Sequence, residues 1–156
     1  MDAIAIRWGG LEDEGAIARV LGLNSISERD VPKQMYIVAE ERGEILAVAR
    51  CLLGRKRLVL GPLAVDPWAE EQRFAVALYS AVGKLAQEMG LREVWADCDE
   101  HREYLREVSY RRRGGGWRLD TMLALDEYEK LPERGWRRVL FLWGATHVPF
   151  CRSFRV

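Results

Sequence analysis

The sequence has few cysteines, and they do not form a disulfide framework. Cys51, Cys98 and Cys151 are an odd and widely spaced set in 156 residues, whereas small secreted proteins usually carry a dense, even-numbered set. We therefore expect reduced thiols that pack as small apolar side chains. A metal or nucleophile interpretation of Cys98 with His101 is weaker, because the pair supplies only two ligands and His147 is remote in sequence.

Net charge is also absent. Lys+Arg and Asp+Glu both number 24, so no whole-molecule field favours nucleic acid or an anionic membrane. The one concentrated basic stretch is "RRRGGGWR", from Arg111 to Arg118. Nucleic-acid binding through Arg111 to Arg113 is a third and weaker hypothesis; the preferred interpretation is a solvated strand of alternating arginines.

The sequence lacks a long hydrophobic run. No apolar segment is long enough to cross a bilayer, and Met1 leads directly into a strand-like segment without the basic region and apolar core of a signal peptide. We therefore expect a cytoplasmic protein with no membrane partner. With 49% hydrophobic and 31% charged residues, the composition is that of a globular chain with one core.

The residues that are present predict four strands and a helix in the first part of the chain. "AIAIRW" alternates as a strand does, and "LEDEGAIARVLGL" has the recurrence of a helix. A loop or short helix is expected over Asn24–Gln34. "MYIVAEERGEILAVARCLL" then predicts two strands joined by a tight turn at residues 41–44, and "RLVLGPLAV" predicts a further strand.

The second part begins with the most strongly periodic segment. Apolar residues from Phe74 to Met89 follow the helical i, i+3, i+4 pattern over four turns, and Gly90 is a suitable stop. "REVWADC" predicts a buried strand parallel to the one before the helix. A short helix, "EHREYLREV", and a strand pair, "YRRRGGGW" with "DTMLALDE", follow. The remainder, Tyr128 to Val156, contains the strand-like "RRVLFLW".

This order, with "IR…LEDEGAIARVL", "YIVAEERGEILAVA", "LAVDP" and "ALYSAVGKLAQEMGLREVWAD", resembles the GCN5-related N-acetyltransferase (GNAT) family over residues 4 to 126. The resemblance implies an α/β (α+β) fold, in which a mixed, splayed central sheet is flanked by helices on both faces. An additional C-terminal strand segment is expected beyond it. We accordingly assign residues 1–126 to a GNAT-like acyltransferase domain, and residues 127–156 to an extension packed on that domain or on a partner subunit.

The resemblance also implies a donor, acetyl-CoA or coenzyme A as co-substrate, held where two parallel strands splay apart. Transfer would be direct, from the thioester to an amine that enters from the other side. The backbone of Leu63, Ala64 and Val65 would bind the pantetheine arm. The pyrophosphate would lie at the start of the long helix. The residues implied there are Gln72, Arg73, Phe74 and Ala75.

The family pattern for that phosphate site is Gln/Arg-x-x-Gly-x-Gly/Ala, because small residues let backbone amides approach the phosphates. Without a gap the pattern falls on Glu70, Arg73 and Ala75. A shift of two residues places it on Gln72, Ala75 and Ala77, but moves the apolar stripe of the helix out of phase, so the ungapped register is preferred. Glu70 and Glu71 would weaken phosphate binding, or would simply stabilise the first turn of the helix.

Catalytic candidates follow from the same resemblance. Leu105 takes the position of the tyrosine that protonates the leaving thiolate in many family members, and Tyr104 precedes it by one residue. Tyr104 is therefore the candidate acid. Asp97 and Asp99, just beyond the strand "VWA", are candidates for the base that removes a proton from the acceptor ammonium. Glu100 is better explained as a helix cap.

The leading interpretation is therefore an acyl-CoA-dependent N-acyltransferase that acts on a primary amine of a small molecule or peptide. The alternative is a catalytically inactive GNAT-like domain that binds a ligand or dimerises. The apolar run in the C-terminal extension must be covered. It would extend the sheet, cover the acceptor cleft or form a homodimer.

Overall fold

The computed structural model describes residues 2–27 and 35–121. Within these ranges seven strands form one sheet: β1 (Ala5–Trp8), β2 (Tyr36–Glu41), β3 (Glu44–Leu53), β4 (Arg57–Val65), β5 (Glu93–Ala96), β6 (Arg111–Arg113) and β7 (Gly116–Asp120). Their spatial order is β1-β2-β3-β4-β5-β7-β6. Only β4 and β5 pair in parallel; the other neighbours are antiparallel. The mixed sheet predicted from the sequence is confirmed.

In the described part of the chain, three helices cover the two faces of this sheet. They are α1 (Glu14–Leu23), α2 (Glu71–Glu88) and α3 (Arg102–Glu107), with single 3₁₀ turns at Leu11–Asp13 and Asp99–His101. The inner face of α1 packs in a separate small cluster with side chains of β2, β3 and β4. α2 and α3 bury their apolar residues in the larger cluster on the opposite face. Helices on both faces are thus confirmed.

Helix α2 is amphipathic in the way its sequence indicates. Its apolar side chains from Phe74 to Ala86 are buried in the larger cluster, because residues three and four apart share one face of a helix. At its end Gly90 adopts a φ of 72°, a left-handed conformation that glycine adopts at little cost and that commonly terminates helices. The helix therefore packs one face in the larger cluster and ends before Gly90.

The tight turn between β2 and β3 is also as predicted. Glu41 pairs with Glu44, and the two intervening residues, Arg42 and Gly43, have φ values of 54° and 79°. Two consecutive positive φ angles define the turn type whose twist matches a two-residue hairpin. This turn fixes the register of β2 on β3.

Two predicted boundaries were wrong. The last strand pair is a hairpin within "RRRGGGWRLD": β7 begins at Gly116, before the predicted "DTMLALDE", because Gly114 and Gly115 form the turn and Trp117 points into the core. The helix predicted over residues 11–23 starts as a 3₁₀ turn at Leu11–Asp13, in which the Asp13 carboxylate accepts a hydrogen bond from the Gly10 amide, and α1 begins only at Glu14.

Parts of two predictions lie outside the described residues. Of the loop or short helix expected over Asn24–Gln34, residues 28–34 are not described. The same holds for the C-terminal extension of residues 127–156, with its strand-like run "RRVLFLW" and the homodimer expected through it. These remain predictions.

Candidate functional site

The site begins where β4 and β5, the one parallel pair among the described strands, separate. β4 and β5 pair over four positions, from Arg57 opposite Glu93 to Leu60 opposite Ala96. β5 then ends, while β4 continues to Val65 with β3 as its neighbour. A bulge in the β3–β4 ladder between Ala49 and Cys51 lies at the same level, and bulges bend a strand. The strands therefore diverge and leave a cleft at their carboxyl ends, where ligands bind in open α/β sheets.

The predicted pantetheine-binding residues line the β4 side of this divergence. The last residue of β4 that pairs with β5 is Leu60. Beyond it lie Leu63, Ala64 and Val65, whose side chains are all buried. Leu63 and Val65 belong to the larger core cluster and Ala64 to the smaller one. Their contribution to a ligand would therefore come from the backbone. Every second pair of amide and carbonyl groups in a strand points away from its neighbour, here toward the cleft.

A hydrogen-bonded turn sets the start of α2 beside the cleft. The amide of Asp66 donates to the Leu46 carbonyl at 2.7 Å, and the Ala69 amide donates to the Asp66 carbonyl at 2.9 Å. The buried Asp66 carboxylate accepts from Arg19 at 2.6 Å and from the Trp68 amide at 2.9 Å. These hydrogen bonds, that of Arg19 first, hold the pKa of Asp66 below its ordinary value.

Asp66→Asn is expected to lower the free energy of unfolding by about 1.5 to 3 kcal/mol at neutral pH, the range for a hydrogen bond to a charged group. Because folding lowers the pKa of Asp66, its contribution is present above the unfolded pKa of about 4 and is lost as the pH falls through the folded value. Urea unfolding at neutral and at acidic pH measures the free energy of unfolding of the variant and of wild type. The difference from wild type should shrink at acidic pH, whereas the exposed Asp97→Asn should change little at either pH.

The first turn of α2 presents free backbone amides at the same edge. The Phe74 amide is bonded to the Glu70 carbonyl at 3.2 Å, so the amides before it, of Glu71, Gln72 and Arg73, have no acceptor within the helix. Free amides and the helix dipole attract an anion. The side chains of Phe74 and Ala75, both predicted at the phosphate site, are buried in the core, and the Phe74 amide is already bonded within the helix.

The polar side chains of this turn form hydrogen bonds with residues of neighbouring elements. Arg73, predicted at the phosphate site, donates to the Glu41 carboxylate at 2.5 Å and to the carbonyl of Asp2. Gln72 is exposed and donates to Glu107 at 3.2 Å. Glu71, which the sequence placed against the phosphate, accepts a hydrogen bond from the Tyr104 hydroxyl at 3.1 Å. The positive charge of Arg73 is thus balanced by Glu41.

The two positions considered for the general acid are distinguished by burial. Leu105 is completely buried in the core, so the family position holds a packing residue. Tyr104 is half-buried, and burial first, then the contact with Glu71, raises its pKa above the ordinary value. Its phenol therefore keeps its proton at neutral pH. Tyr104 also lines an open pocket of about 430 Å³ together with residues of α3 and of the turn before it.

The candidate bases occupy different surroundings. Asp97, the first residue after β5, is exposed. Asp99 accepts from Arg112 at 2.8 Å and from the indole nitrogen of Trp117 at 3.0 Å, so its carboxylate ties the turn before α3 to the β6–β7 hairpin. Of the two, Asp97 is the one with an open approach.

Sequence reasoning missed a polar cluster between α2 and α3. The Tyr79 hydroxyl lies 2.8 Å from Nδ1 of His101, and Nε2 of His101 lies 3.5 Å from the Glu71 carboxylate. Burial would raise the pKa of the Cys98 thiol, but the influence of His101 outweighs it and lowers the pKa. The available signal was the spacing of Glu71 and Tyr79, eight residues apart and hence two turns along one face of a helix. Cys98 is half-exposed, unlike the packed thiol expected from the sequence, whereas Cys51 is buried as expected.

Residues 2–27 and 35–121 contain no group of three or more histidine, cysteine or acidic side chains arranged to hold a metal ion. In the same ranges no helix is both long and apolar enough to cross a membrane.

The sequence model of the Acetyltransferase (GNAT) family matches residues 11–114. The chain belongs to the GNAT family. This match runs from the turn before α1 to the turn between β6 and β7, and so includes the cleft, the start of α2 and α3. No individual curated protein is significantly similar to this chain in sequence.

Solved structures of GNAT proteins share the fold. N-acetylglutamate synthase from Neisseria gonorrhoeae, in complex with coenzyme A and L-arginine, is 17% identical with a TM-score of 0.61; the match covers 88% of this chain and 31% of the synthase. Diaminobutyrate acetyltransferase from Paenibacillus lautus, with its substrate and coenzyme A, is 14% identical with a TM-score of 0.58, over 71% of this chain and 80% of that one.

A third structure is a GNAT family acetyltransferase from Brucella melitensis in complex with acetyl-CoA. It is 17% identical with a TM-score of 0.55, over 77% of this chain and 89% of that one. At these identities the similarity establishes the fold. The chain spans less than a third of the length of the synthase.

Proposed function

We propose that this chain is an acyl-CoA-dependent N-acyltransferase that transfers an acyl group, acetyl in the simplest case, to a primary amine. One observation carries the proposal: the cleft between β4 and β5 opens at the edge where α2 presents its free amides. A thioester arm along β4 and a pyrophosphate at α2 would fit the same ligand. Relatives of this fold bind coenzyme A or acetyl-CoA.

In this proposal the backbone of Leu63, Ala64 and Val65 binds the pantetheine arm. The free amides of Gln72 and Arg73, in the first turn of α2, bind the pyrophosphate, and Phe74 and Ala75 pack behind them. Each amide bonded to a charged phosphate contributes about 1.5 to 3 kcal/mol. The carboxylate of Glu71 is drawn toward Tyr104, which reduces its opposition to the phosphates.

Tyr104 is proposed as the acid that protonates the leaving thiolate, because it lies next to the family's tyrosine position, now Leu105, and its hydroxyl is at the surface. Asp97 is proposed to accept a proton from the acceptor ammonium, directly or through water. Asp99 is the weaker candidate, since its carboxylate already accepts two hydrogen bonds. The acceptor, a small molecule or a peptide, the cytoplasmic location and a homodimer through residues 127–156 remain part of the proposal.

The alternative function is a catalytically inactive domain that binds a ligand or dimerises, and the buried Leu105 at the family's tyrosine position favours it. Release of free thiol from acetyl-CoA, measured with a panel of primary amines, separates the two functions. The proposal predicts release that depends on both the amine and the chain. A chain that binds acetyl-CoA but releases no thiol with any amine would support the inactive domain.

One added negative charge tests where the pyrophosphate binds. Gln72→Glu adds a carboxylate to the first turn of α2, where the helix dipole tolerates it. At about 5 Å from a phosphate such a charge costs about 1 kcal/mol in water and about 3 kcal/mol near a protein surface. We expect the dissociation constant for acetyl-CoA to rise about tenfold or more, measured by calorimetry.

The matched control is Gln87→Glu, the same substitution near the other end of α2. Fifteen residues of helix separate the two positions by about 22 Å, well beyond the screening length of about 8 Å in physiological salt. Binding should be unchanged in Gln87→Glu. Equal weakening in both variants would contradict the placement of the pyrophosphate at the start of α2.

A further inference from the structure

The polar cluster between α2 and α3 ends at the Tyr104 hydroxyl. The Tyr79 hydroxyl lies 2.8 Å from Nδ1 of His101. Nε2 of the same imidazole lies 3.5 Å from one carboxylate oxygen of Glu71, and the other oxygen accepts a hydrogen bond from Tyr104 at 3.1 Å. The two oxygens of the Glu71 carboxylate thus face two different side chains, one from α3 and one from the turn before it.

The inner part of this cluster is held by packing. Tyr79 is 1% exposed and His101 is 8% exposed. The Tyr79 ring meets the His101 and Tyr110 rings edge to face, with centroids 5.9 and 5.7 Å apart, and the Tyr104 ring lies 5.4 Å from that of His101. These contacts fix the orientation of the imidazole, as packing does for side chains that support a functional site.

The contacts of His101 favour one tautomer of its neutral ring. A phenol has one hydrogen to donate, and the ring nitrogen that faces the Tyr79 hydroxyl is Nδ1. When the Tyr79 hydroxyl donates to Nδ1, the ring hydrogen lies on Nε2 and faces the Glu71 carboxylate. The other tautomer would place a lone pair of Nε2 against that carboxylate, which is unfavourable. The Glu71 carboxylate therefore lies between two N–H or O–H donors.

Tyr104 depends on such a partner because it lies outside the core. Leu105, the next residue of α3, is completely buried, and one residue along a helix is a rotation of about 100°. The Tyr104 side chain is therefore turned toward the start of α2, where its hydroxyl donates to Glu71. Without that acceptor, an exposed phenol could take several side-chain rotamers.

We propose that Glu71 is a positioning residue for Tyr104, and that Tyr79 and His101 hold the Glu71 carboxylate in place for this role. The inference rests on the proposed function, in which Tyr104 protonates the leaving thiolate. Rotation of the hydroxyl about its C–O bond turns the hydrogen from Glu71 to the thiolate, while the phenol oxygen stays in place. The O–H bond of Tyr104 breaks and an S–H bond forms, and the phenolate then recovers a proton from water.

In this role Glu71 has two opposite effects. Its negative charge in the first turn of α2 opposes a phosphate bound to the free amides there, whereas its hydrogen bond to Tyr104 supports proton donation. Loss of the carboxylate should therefore strengthen donor binding and slow turnover. A residue with a purely structural role would weaken both when it is removed.

Glu71→Ala and Glu71→Gln separate these effects when kcat and the dissociation constant for acetyl-CoA are both measured. In Glu71→Ala we expect kcat to fall about tenfold, the effect of one hydrogen bond to a charged group, and the dissociation constant to fall about fivefold. Glu71→Gln keeps an oxygen that accepts from Tyr104, so its kcat should return toward wild type while binding stays tight. Wild-type kcat in Glu71→Ala, or weaker binding together with slower turnover, would overturn the inference.

The matched control is Glu107→Ala. Glu107 joins the same two helices, because it accepts a hydrogen bond from Gln72 at 3.2 Å. Its removal should leave kcat at the wild-type value. A tenfold loss in Glu107→Ala as well would assign the effect to the packing of α3 on α2 and would overturn the inference.

Two variants of His101 test its part. His101→Leu removes both ring nitrogens and should lower kcat about 2- to 10-fold, the range for one neutral hydrogen bond. His101→Gln keeps an N–H group near the position of Nε2 and should restore most of that loss. An equal loss in both variants, with thermal unfolding showing that both are folded, would overturn the role of His101.

Nuclear magnetic resonance of the free chain tests the arrangement without any donor. Nitrogen shifts of neutral His101, distinguished from those of the other histidine with His147→Gln, should place the hydrogen on Nε2; a hydrogen on Nδ1 would overturn the inference. In Glu71→Gln the pKa of the Tyr104 phenol should fall, because a neighbouring negative charge is removed, and an unchanged pKa would also overturn it. If acetyl-CoA does not bind to the wild-type chain, the proposed function fails, and these two measurements still decide whether His101 and Glu71 hold Tyr104.

Discussion

Tyr104→Phe is expected to lower kcat for amine acetylation by about 100-fold or more, the usual contribution of a positioned general acid. The substitution removes only the hydroxyl that donates to Glu71 and, in the proposed reaction, protonates the leaving thiolate. The hydroxyl lies at the protein surface, so folding should change little. Steady-state kinetics with a responsive amine, beside calorimetric binding of acetyl-CoA, measure both quantities.

The matched control for this prediction is Tyr110→Phe. Its hydroxyl is buried and donates to the Tyr79 carbonyl, so its loss should lower stability while leaving the acid in place. A Tyr104→Phe variant that binds acetyl-CoA and keeps wild-type kcat would show that another group protonates the thiolate. Loss of binding without loss of kcat would assign Tyr104 to the binding of the donor instead.

Trp117→Ala is expected to lower the free energy of unfolding by about 3 to 5 kcal/mol, the usual cost of truncating a buried large aromatic residue. Trp117 is only 2% exposed and lies in the core beside the end of β5, where it pairs with Ala96. Its indole also donates to Asp99. Urea or thermal unfolding measures the loss, which is a large fraction of the stability of an ordinary domain.

Trp117→Phe separates packing from the hydrogen bond. It keeps most of the ring but loses the donor to Asp99, so we expect a smaller loss than in Trp117→Ala. If the two variants were equally destabilised, the indole hydrogen bond and not the burial would carry the energy. Wild-type stability in Trp117→Ala would contradict the placement of β7 against β5.

The elements that were predictable are those set by local pattern. The apolar stripe of α2 and the stop at Gly90 lie within one segment, so periodicity identifies them. The turn at Arg42 and Gly43 has residue types suited to positive φ. The parallel pairing of β5 with β4 follows from the intervening helix. None of these depends on knowing which distant residues meet.

The features that were not predictable depend on contacts between distant segments. Arg73 was assigned to phosphate because of its position in the helix, but its partner Glu41 lies 32 residues earlier, at the end of β2. Tyr79 and His101 are 22 residues apart, and only the packing of α3 on α2 brings them together. Cys98 and His101 are close in sequence but supply only two polar groups. The sequence alone therefore did not identify them as part of a larger polar cluster.

Calorimetric titration of the wild-type chain with acetyl-CoA measures donor binding in the cleft. We expect a micromolar dissociation constant, weakened in Gln72→Glu and unchanged in Gln87→Glu. Absence of heat up to millimolar acetyl-CoA, with no sign of binding when the chain is monitored by thermal unfolding, would contradict the claim that the cleft between β4 and β5 holds an acyl-CoA donor.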